Sequence, residues 1–172
     1  VILNEAISRE GLEHPWGLEV GRRLVQLVKK GLLCRDAVRE AMIMTAAASD
    51  ARMGGSMLPV MSNSGSGNQG LTVTLPVIAV AKVKGVDEES LIRALVQAHL
   101  AAIHIKKQLG PLSALCGCVV AAIGASCGIV RLLGGSVPLE VLERQMSAVV
   151  RDMVGNITGM VCDGAKAGCA LK

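Results

Sequence analysis

Cysteines are the residues of this sequence best suited to chemistry, and there are six of them. Cys162 and Cys169 enclose a short segment with two glycines, Cys-Asp-Gly-Ala-Lys-Ala-Gly-Cys, which can fold around a bound group. Cys116 and Cys118 lie earlier, at the start of a stretch of small residues. Thiolates bind iron–sulfur clusters and zinc, but the sequence lacks the Cys-x2-Cys pairs that are usual for zinc. On spacing alone, metal ligands and buried structural thiols are equally good interpretations.

A second candidate is the polar segment 61–70, Met-Ser-Asn-Ser-Gly-Ser-Gly-Asn-Gln-Gly. Its composition predicts a loop, and glycine-rich loops that lead into a helix expose backbone N–H groups that can hold an anion. The segment lacks the lysine of a phosphate-binding loop and the strand context of a dinucleotide site. A carboxylate is therefore a better ligand than a nucleotide phosphate. The alternative is a flexible surface loop without a ligand.

The histidines have no spacing that specifies a catalytic partner. His99 shares a predicted helical face with Val96 and Ile103, which favours a hydrogen-bonded histidine in the core. Cys34 follows two leucines and is predicted to be buried as well.

The elements that carry these residues are predicted to be helices. The chain is 51% hydrophobic and has 20 glycines, one Trp, and neither Phe nor Tyr. Small residues in such numbers allow helices to approach closely, whereas a β-sandwich would use more aromatic and β-branched side chains. We therefore expect an all-α fold, with residues 1–172 as a single helical domain.

Apolar periodicity, caps and breakers predict the helix positions. The start of the chain reads as part of a helix. A helix is predicted from about Asp36, Asp87 is a predicted N-cap, and Pro76 marks a helix that starts near Leu75 or is kinked there. In the helix after Asp87, the residues expected to face inward are Leu91, Ile92, Leu95, Val96 and Ile103. The other predicted helices are one ended by Gly31, one over about 113–133 and one over about 138–154.

The charge pattern bears on partners and location. The formal net charge is +4, but the basic residues are scattered and aromatic stacking residues are nearly absent, so no nucleic-acid binding is expected. Residues 112–130 carry no charge, which suits a membrane span in length. Their glycines and cysteines instead favour the buried central helix of a soluble protein that does not interact with a membrane. The sequence shows no signal peptide, so a cytoplasmic location is expected.

Three motifs together resemble a known family: Ser62 to Gly70; Leu112-Ser-Ala-Leu-Cys-Gly-Cys118 with Leu132-Leu-Gly-Gly135; and Gly159 to Lys172. Their order resembles the α-chain family of iron–sulfur L-serine dehydratases, and more closely its L-cysteine desulfidase-like branch. The resemblance covers about Glu40 to Lys172.

This resemblance implies a helical catalytic domain that holds a [4Fe–4S] cluster on three cysteines, with one iron open to substrate. The implied ligands are Cys162, Cys169 and either Cys116 or Cys118. Cys116 is favoured because its distance from the Leu-Leu-Gly-Gly motif is closer to the family pattern.

The resemblance also places the polar segment at the active site. The residues expected near the substrate are Ser62, Asn63, Ser64, Gly65 and Asn68. The implied reaction is β-elimination of L-cysteine to pyruvate, ammonia and sulfide. The alternatives are an L-serine dehydratase and an inactive relative that binds a small carboxylate.

Two departures from the family qualify these implications. Serine dehydratases have a longer gap between the last two ligands and a proline after Cys-Asp, whereas Gly164 stands at that position here; this favours the desulfidase-like branch. The family's proteins are also longer. The chain is therefore expected to be an inactive fragment of a catalytic domain whose general base lies upstream, and no catalytic residue is assigned. A small amino acid is the expected partner, and whether the protein forms a homodimer is left open.

Overall fold

The computed structural model describes residues 1–110, 113–157, 159–162 and 164–172, and within them the chain is all-α, as the sequence predicts. Isolated β-bridges are its only extended pairings in this described part. The helices are α1 (Ile2–Glu13), α2 (Val20–Lys29), α3 (Ala37–Gly54), α4 (Gly67–Lys84), α5 (Glu88–Leu109), α6 (Gly117–Gly134) and α7 (Leu139–Ile157), followed by a 3-10 helix (Ala167–Leu171). Leu112, the first residue of the motif that contains Cys116, lies outside the described residues.

Two of the predicted helix starts are confirmed by their caps. The side chain of Asp36 accepts a hydrogen bond from the Arg39 backbone N–H at 2.8 Å, and α3 begins at the next residue. Asp87 accepts in the same way from Ser90 at 2.9 Å, ahead of α5. A side chain that satisfies a free N–H group in the first turn contributes about 1 kcal/mol.

The start of α4 differs from the prediction. The helix begins at Gly67 rather than near Leu75, because the Ser66 side chain caps it by accepting from the Gln69 N–H at 3.3 Å. Residues 67–70 therefore form the first turn of a helix and not a loop. Pro76 lies inside α4, and the buried side chains around it offset the hydrogen bond that proline cannot donate.

The face of α5 that packs against α6 differs from the predicted core face of this helix. Ile92, Val96 and Ile103 are about half exposed, and the buried face consists of Ala94, Leu95, Ala98 and Ala102. The reason lies in α6, where Gly124 and Gly128 bring the two helices close together. A Cβ on Gly124 would lie only 2.6 Å from the Ala98 carbonyl oxygen. At this separation only small side chains fit, so the larger aliphatic residues lie outside the contact.

Helix α6 is the segment that suits a membrane span in length and composition, with a mean hydropathy of 1.8. Half of its residues are buried, and α4, α5 and α7 pack against it. A core helix of a soluble domain has these properties.

Cys34 is exposed, so its predicted place in the core is wrong. It lies in the turn between α2 and α3, where its thiol contacts the Asp36 carboxylate at 3.1 Å. The two leucines before it do not continue a helix, because α2 ends at Lys29.

The end of α3 is fixed to α2 by a buried carboxylate. Asp50 is fully buried and accepts hydrogen bonds from the backbone N–H groups of Leu18 at 3.3 Å and Gly21 at 3.1 Å. Burial raises the pKa of this carboxyl group, and the N–H groups at the start of α2 only partly oppose that effect.

Candidate active site

The polar segment ends in a tight turn that presents its side chains beside the start of α4. Asn63 and Ser66 exchange backbone hydrogen bonds of 3.1 and 3.0 Å across the pair Ser64–Gly65. Both central residues have positive φ, 48° at Ser64 and 80° at Gly65, as in the type I′ turn. A serine in the left-handed region is uncommon and costs some strain, which is more frequent at functional sites than elsewhere.

Asn63 organises this turn from the inside. Its side chain is only 3% exposed. The amide oxygen accepts from the Ser64 hydroxyl at 2.9 Å and from the Gln69 amide at 2.7 Å, while the amide nitrogen donates to Nδ1 of His99 at 3.0 Å. The hydrogen-bonding groups of Asn63 are thus already used within the protein, and its role is to hold the turn in place.

The same network fixes the protonation state of His99. Because Nδ1 accepts from Asn63, the ring proton lies on Nε2, which donates to the Thr74 hydroxyl at 3.1 Å. Burial lowers the pKa of His99, in agreement with a neutral ring. The predicted hydrogen-bonded histidine is confirmed, although it lies at the edge of the core beside the polar segment.

The cysteine segments are joined by backbone pairing. Leu115 and Val161 form an antiparallel bridge, which is flanked by hydrogen bonds from the Cys116 N–H to the Met160 oxygen at 2.9 Å and from the Cys162 N–H to the Ala114 oxygen at 2.8 Å. Cys116 and Cys162 therefore project on the same side of this pairing at diagonal positions, where Cα atoms are usually about 7–8 Å apart. Residues distant in sequence are brought together here.

Two further thiols lie near this bridge. The pKa of the Cys118 thiol is raised to about 12, mainly by burial and to a smaller extent by the neighbouring Cys116 and Cys169. Cys169 lies in the 3-10 helix, which packs against α3. Asp163, the residue after Cys162 in the motif, lies outside the described residues. Cys116 and Cys169 thus lie close to Cys118, and Cys162 is joined to the Cys116 segment by the bridge.

The polar segment and the cysteines meet where α4 and α6 begin. The Gln69 amide oxygen lies 3.1 Å from the position that a Cβ on Gly117 would occupy. The two helices run parallel, since Gly124 and Gly128 contact Val73 and Val77 further along α4. Both N-termini therefore lie side by side, with the positive ends of their dipoles and unpaired N–H groups near the thiols. Such a place favours a bound anion.

Comparison with known proteins identifies the family of the chain. The family model for the serine dehydratase alpha chain matches residues 1–172. The chain belongs to this family. Membership covers the whole chain, including the residues before Glu40 where the motif resemblance begins.

Two relatives in the family show how far the match extends. A UPF0597 protein of Oleidesulfovibrio alaskensis is 55% identical over 170 residues, which are 99% of this chain and 38% of that protein. The UPF0597 protein YhaM of Escherichia coli (strain K12 / DH10B) is 49% identical over the same shares. The chain thus spans about two fifths of the length of these relatives. No solved structure matches the chain.

Arg52 is a residue of the site that the sequence does not reveal. It lies near the end of α3, where its guanidinium covers Gly67, and its Nη1 donates to the Asn68 side chain at 3.0 Å. A Cβ on Gly67 would lie only 2.5 Å from the arginine Nε, so a side chain there would displace the guanidinium. Arg52 and Asn68 belong to different helices, so no local sequence motif predicts their contact.

The other predicted substrate residues differ in accessibility. Ser62, Ser64 and Gly65 are exposed at the turn, and Asn68 lies half-buried in the first turn of α4 under Arg52. A separate groove of about 410 Å³ lies between α1, α2 and α3. It is lined by residues such as Leu12, Val25 and Ile43, and includes none of the predicted site residues.

The donors at this place are cysteine thiols, whose thiolates are the usual ligands of iron–sulfur clusters. Among the residues that the structure describes, no three His, Cys, Asp or Glu side chains are placed to hold one metal ion. A cluster binds each thiolate to a different iron, so its ligands can stand further apart. Cys116 and Cys162 on one side of the bridge, with Cys169 near the same segment, are compatible with that requirement.

Proposed function

We propose that the full-length protein is an iron–sulfur lyase that removes the β-substituent of a small amino acid, with L-cysteine as substrate and L-serine as the alternative. The observation that carries the proposal is the contact of Gln69 with Gly117, which sets the polar turn beside the cysteine segment. The serine dehydratase alpha-chain family supplies the reaction class.

In this proposal Cys116, Cys162 and Cys169 hold a [4Fe–4S] cluster. The cluster would supply a Lewis acid whose open iron polarises the carboxylate and the β-hydroxyl or β-thiol of the substrate. The net reaction removes the α-proton and the β-substituent and then hydrolyses the product to pyruvate and ammonia. Cysteine additionally yields sulfide.

The residues of this chain bind and orient the substrate. The N-termini of α4 and α6 favour the carboxylate electrostatically, and the exposed Ser62 hydroxyl can rotate toward a polar substrate, whereas the Ser64 hydroxyl donates to Asn63. Asn63 and the neutral His99 keep the turn in one conformation, so the donors do not have to reorganise as charge develops. The residue that accepts the α-proton is not assigned.

Cysteine is preferred to serine because of the ligand segment. The short gap between Cys162 and Cys169, with Gly164 in place of a proline, resembles the desulfidase-like branch. Gly164 has φ of 92°, a conformation that proline cannot adopt. The backbone at this point therefore differs from that of a sequence with proline there.

Anaerobic iron and sulfide analysis of the full-length protein, followed by a pyruvate assay with L-cysteine and L-serine, tests the proposal. We expect brown protein with iron and sulfide in equal amounts, pyruvate from cysteine in excess of that from serine, and loss of both iron and activity in Cys162→Ala and Cys169→Ala. Cys34→Ala is the matched control, because this exposed thiol is remote from the others in sequence.

Colourless, iron-free protein after anaerobic purification would contradict the proposal. If that protein were still stabilised against heat by cysteine, it would be a binding relative without catalysis, since a ligand stabilises the fold that binds it. Iron-containing protein that releases pyruvate only from serine would retain the lyase and overturn the substrate preference.

A further inference from the structure

One face of α3 carries three polar residues at helical spacing. Thr45, Ser49 and Arg52 stand four and three residues apart and so lie on one side of the helix. Other sides of α3 are used differently. Met44 and Ala48 belong to the hydrophobic core with α4. Ala47 packs against glycines of α1 and α2.

The two hydroxyl groups on this face are buried without a hydrogen-bond partner among the described residues. Neither Oγ1 of Thr45 nor Oγ of Ser49 makes a hydrogen bond, and Ser49 is only 7% exposed. Buried hydroxyl groups are nearly always paired, because an unpaired one loses its hydration without compensation. A polar ligand bound to these two hydroxyl groups, which lie one turn apart on α3, would compensate for that loss.

Arg52 extends the same face by one turn toward the polar segment. Its guanidinium is half-buried and uses one N–H group on Asn68. In the described part of the chain, no carboxylate lies within 4.0 Å of it. A guanidinium held in place, with donors to spare and no counter-charge, is suited to bidentate binding of a carboxylate.

This face also borders the proposed active site. Arg52 covers the first turn of α4, and that turn contacts Gly117 at the start of α6. The 3-10 helix that carries Cys169 also packs on α3. Arg52 therefore lies beside the start of α4, which is next to the start of α6 and its thiols.

We propose that Arg52, with the hydroxyl groups of Ser49 and Thr45, binds the α-carboxylate of the substrate. This deepens the proposed function by naming the subsite for the carboxylate end. Arg52 contributes the charge and the bidentate geometry. The hydroxyl groups supply additional donors on the side of α3.

The test uses the anaerobically purified full-length protein and two probes that each share one end with cysteine. 3-Mercaptopropionate has the thiol and the carboxylate, and cysteamine has the thiol and the amine. Calorimetry should show that Arg52→Gln weakens 3-mercaptopropionate binding by about 10- to 150-fold, the effect of losing a charge-assisted hydrogen-bonded pair, and leaves cysteamine binding unchanged. Arg52→Lys should lie in between. Arg39→Gln, on the same helix, is the control because Arg39 pairs with Asp36 instead.

The hydroxyl groups provide a second test that does not depend on the arginine. Ser49→Ala and Thr45→Val remove buried unpaired groups, so the ligand-free protein should unfold at an equal or higher temperature. Binding of 3-mercaptopropionate should nevertheless weaken by about fivefold for each variant. A purely structural role would lower stability and leave binding as it is.

The outcomes separate this inference from the proposed function. If wild-type protein turns over cysteine while Arg52→Gln keeps the same KM and binds 3-mercaptopropionate within twofold of wild type, the carboxylate subsite is overturned and the lyase stands. If no amino acid is turned over but 3-mercaptopropionate binds in an Arg52-dependent way, the lyase fails and the subsite stands. Should Arg52→Gln not fold, the Ser49 and Thr45 variants decide the matter.

Discussion

The amide oxygen of Gln69 lies 3.1 Å from the place that a Cβ on Gly117 would fill. Gln69 is 2% exposed, and its amide nitrogen is bonded to Asn63. One side chain therefore connects the polar turn to the first residue of the helix that follows Cys116. The separation between the turn and the thiols depends on the absence of a side chain at residue 117.

Gly117→Ala should disturb this connection more than it disturbs the fold. The new methyl group forces the Gln69 amide to move by a few tenths of an ångström, while alanine in the first turn favours the helix by up to about 1 kcal/mol. We expect nearly unchanged stability and a kcat/KM for cysteine about five- to tenfold lower, because small displacements in an active site are costly. Urea unfolding and the pyruvate assay measure the two effects.

Gly155→Ala is the matched control, since it is also a helical glycine and a Cβ there meets nothing within 4 Å. It should raise stability slightly and leave kcat/KM at the wild-type value. A Gly117→Ala enzyme with full activity would show that the contact with Gln69 does not set the geometry of the site.

Local patterns predict much of this fold because they depend on neighbouring residues. The caps at Asp36 and Asp87 follow from the hydrogen bonds of a short acidic side chain, and the helix content follows from composition. The start of α4 was missed because a glycine-rich sequence normally predicts a loop. Only the Ser66 cap and the packing around it allow Gly67 and Asn68 to be helical.

The site is harder to predict from the sequence because its contacts join residues that are far apart in the chain. The pairing of Cys116 with Met160 and the position of Arg52 over Gly67 join separate elements by shape and hydrogen bonding. In α5, large hydrophobic residues such as Ile92 are predicted to be buried. They are exposed instead, because the close contact with α6 has room only for small side chains such as alanine. A glycine stripe on a neighbouring helix is the signal that would have corrected this prediction.

Acidification should loosen the polar turn through His99. Burial lowers the pKa of His99 below its ordinary value of 6.5, so the neutral ring contributes stability that is present above pH 6.5 and is lost as the pH falls through the lower, folded-state pKa. A proton on Nδ1 would face the N–H donor of Asn63 and break that 3.0 Å hydrogen bond. Urea unfolding between pH 8 and pH 5 should therefore show a decrease in stability on the acid side.

His99→Gln serves as the comparison, because a glutamine side chain keeps an acceptor and a donor but does not titrate in this range. Its stability should be lower than wild type at pH 8 and should change less on acidification. Equal pH dependence in the two proteins would contradict a neutral His99 in the network.

The close approach of α5 and α6 predicts a large cost for a methyl group at Gly124. A Cβ there would lie 2.6 Å from the Ala98 carbonyl oxygen and 2.8 Å from the Ala102 side chain. Backbone atoms cannot rotate away, so the helices have to separate. Gly124→Ala should lower the free energy of unfolding by about 1–3 kcal/mol despite its better helix propensity. Gly155→Ala, measured in the same urea titration, should change it in the opposite direction; a stabilised Gly124→Ala would contradict the packing.

The choice between Cys116 and Cys118 as third ligand can be decided by iron content. Cys116 is held by its N–H bond to Met160, on the same side of the bridge as Cys162, whereas Cys118 lies within the first turn of α6. We therefore expect Cys116→Ser to lose iron after anaerobic purification, as Cys162→Ser does, and Cys118→Ser to retain it. Cys127→Ser, a buried thiol further along α6, controls for the effect of serine inside the helix. The reverse result would make Cys118 the ligand and leave Cys116 as a structural thiol.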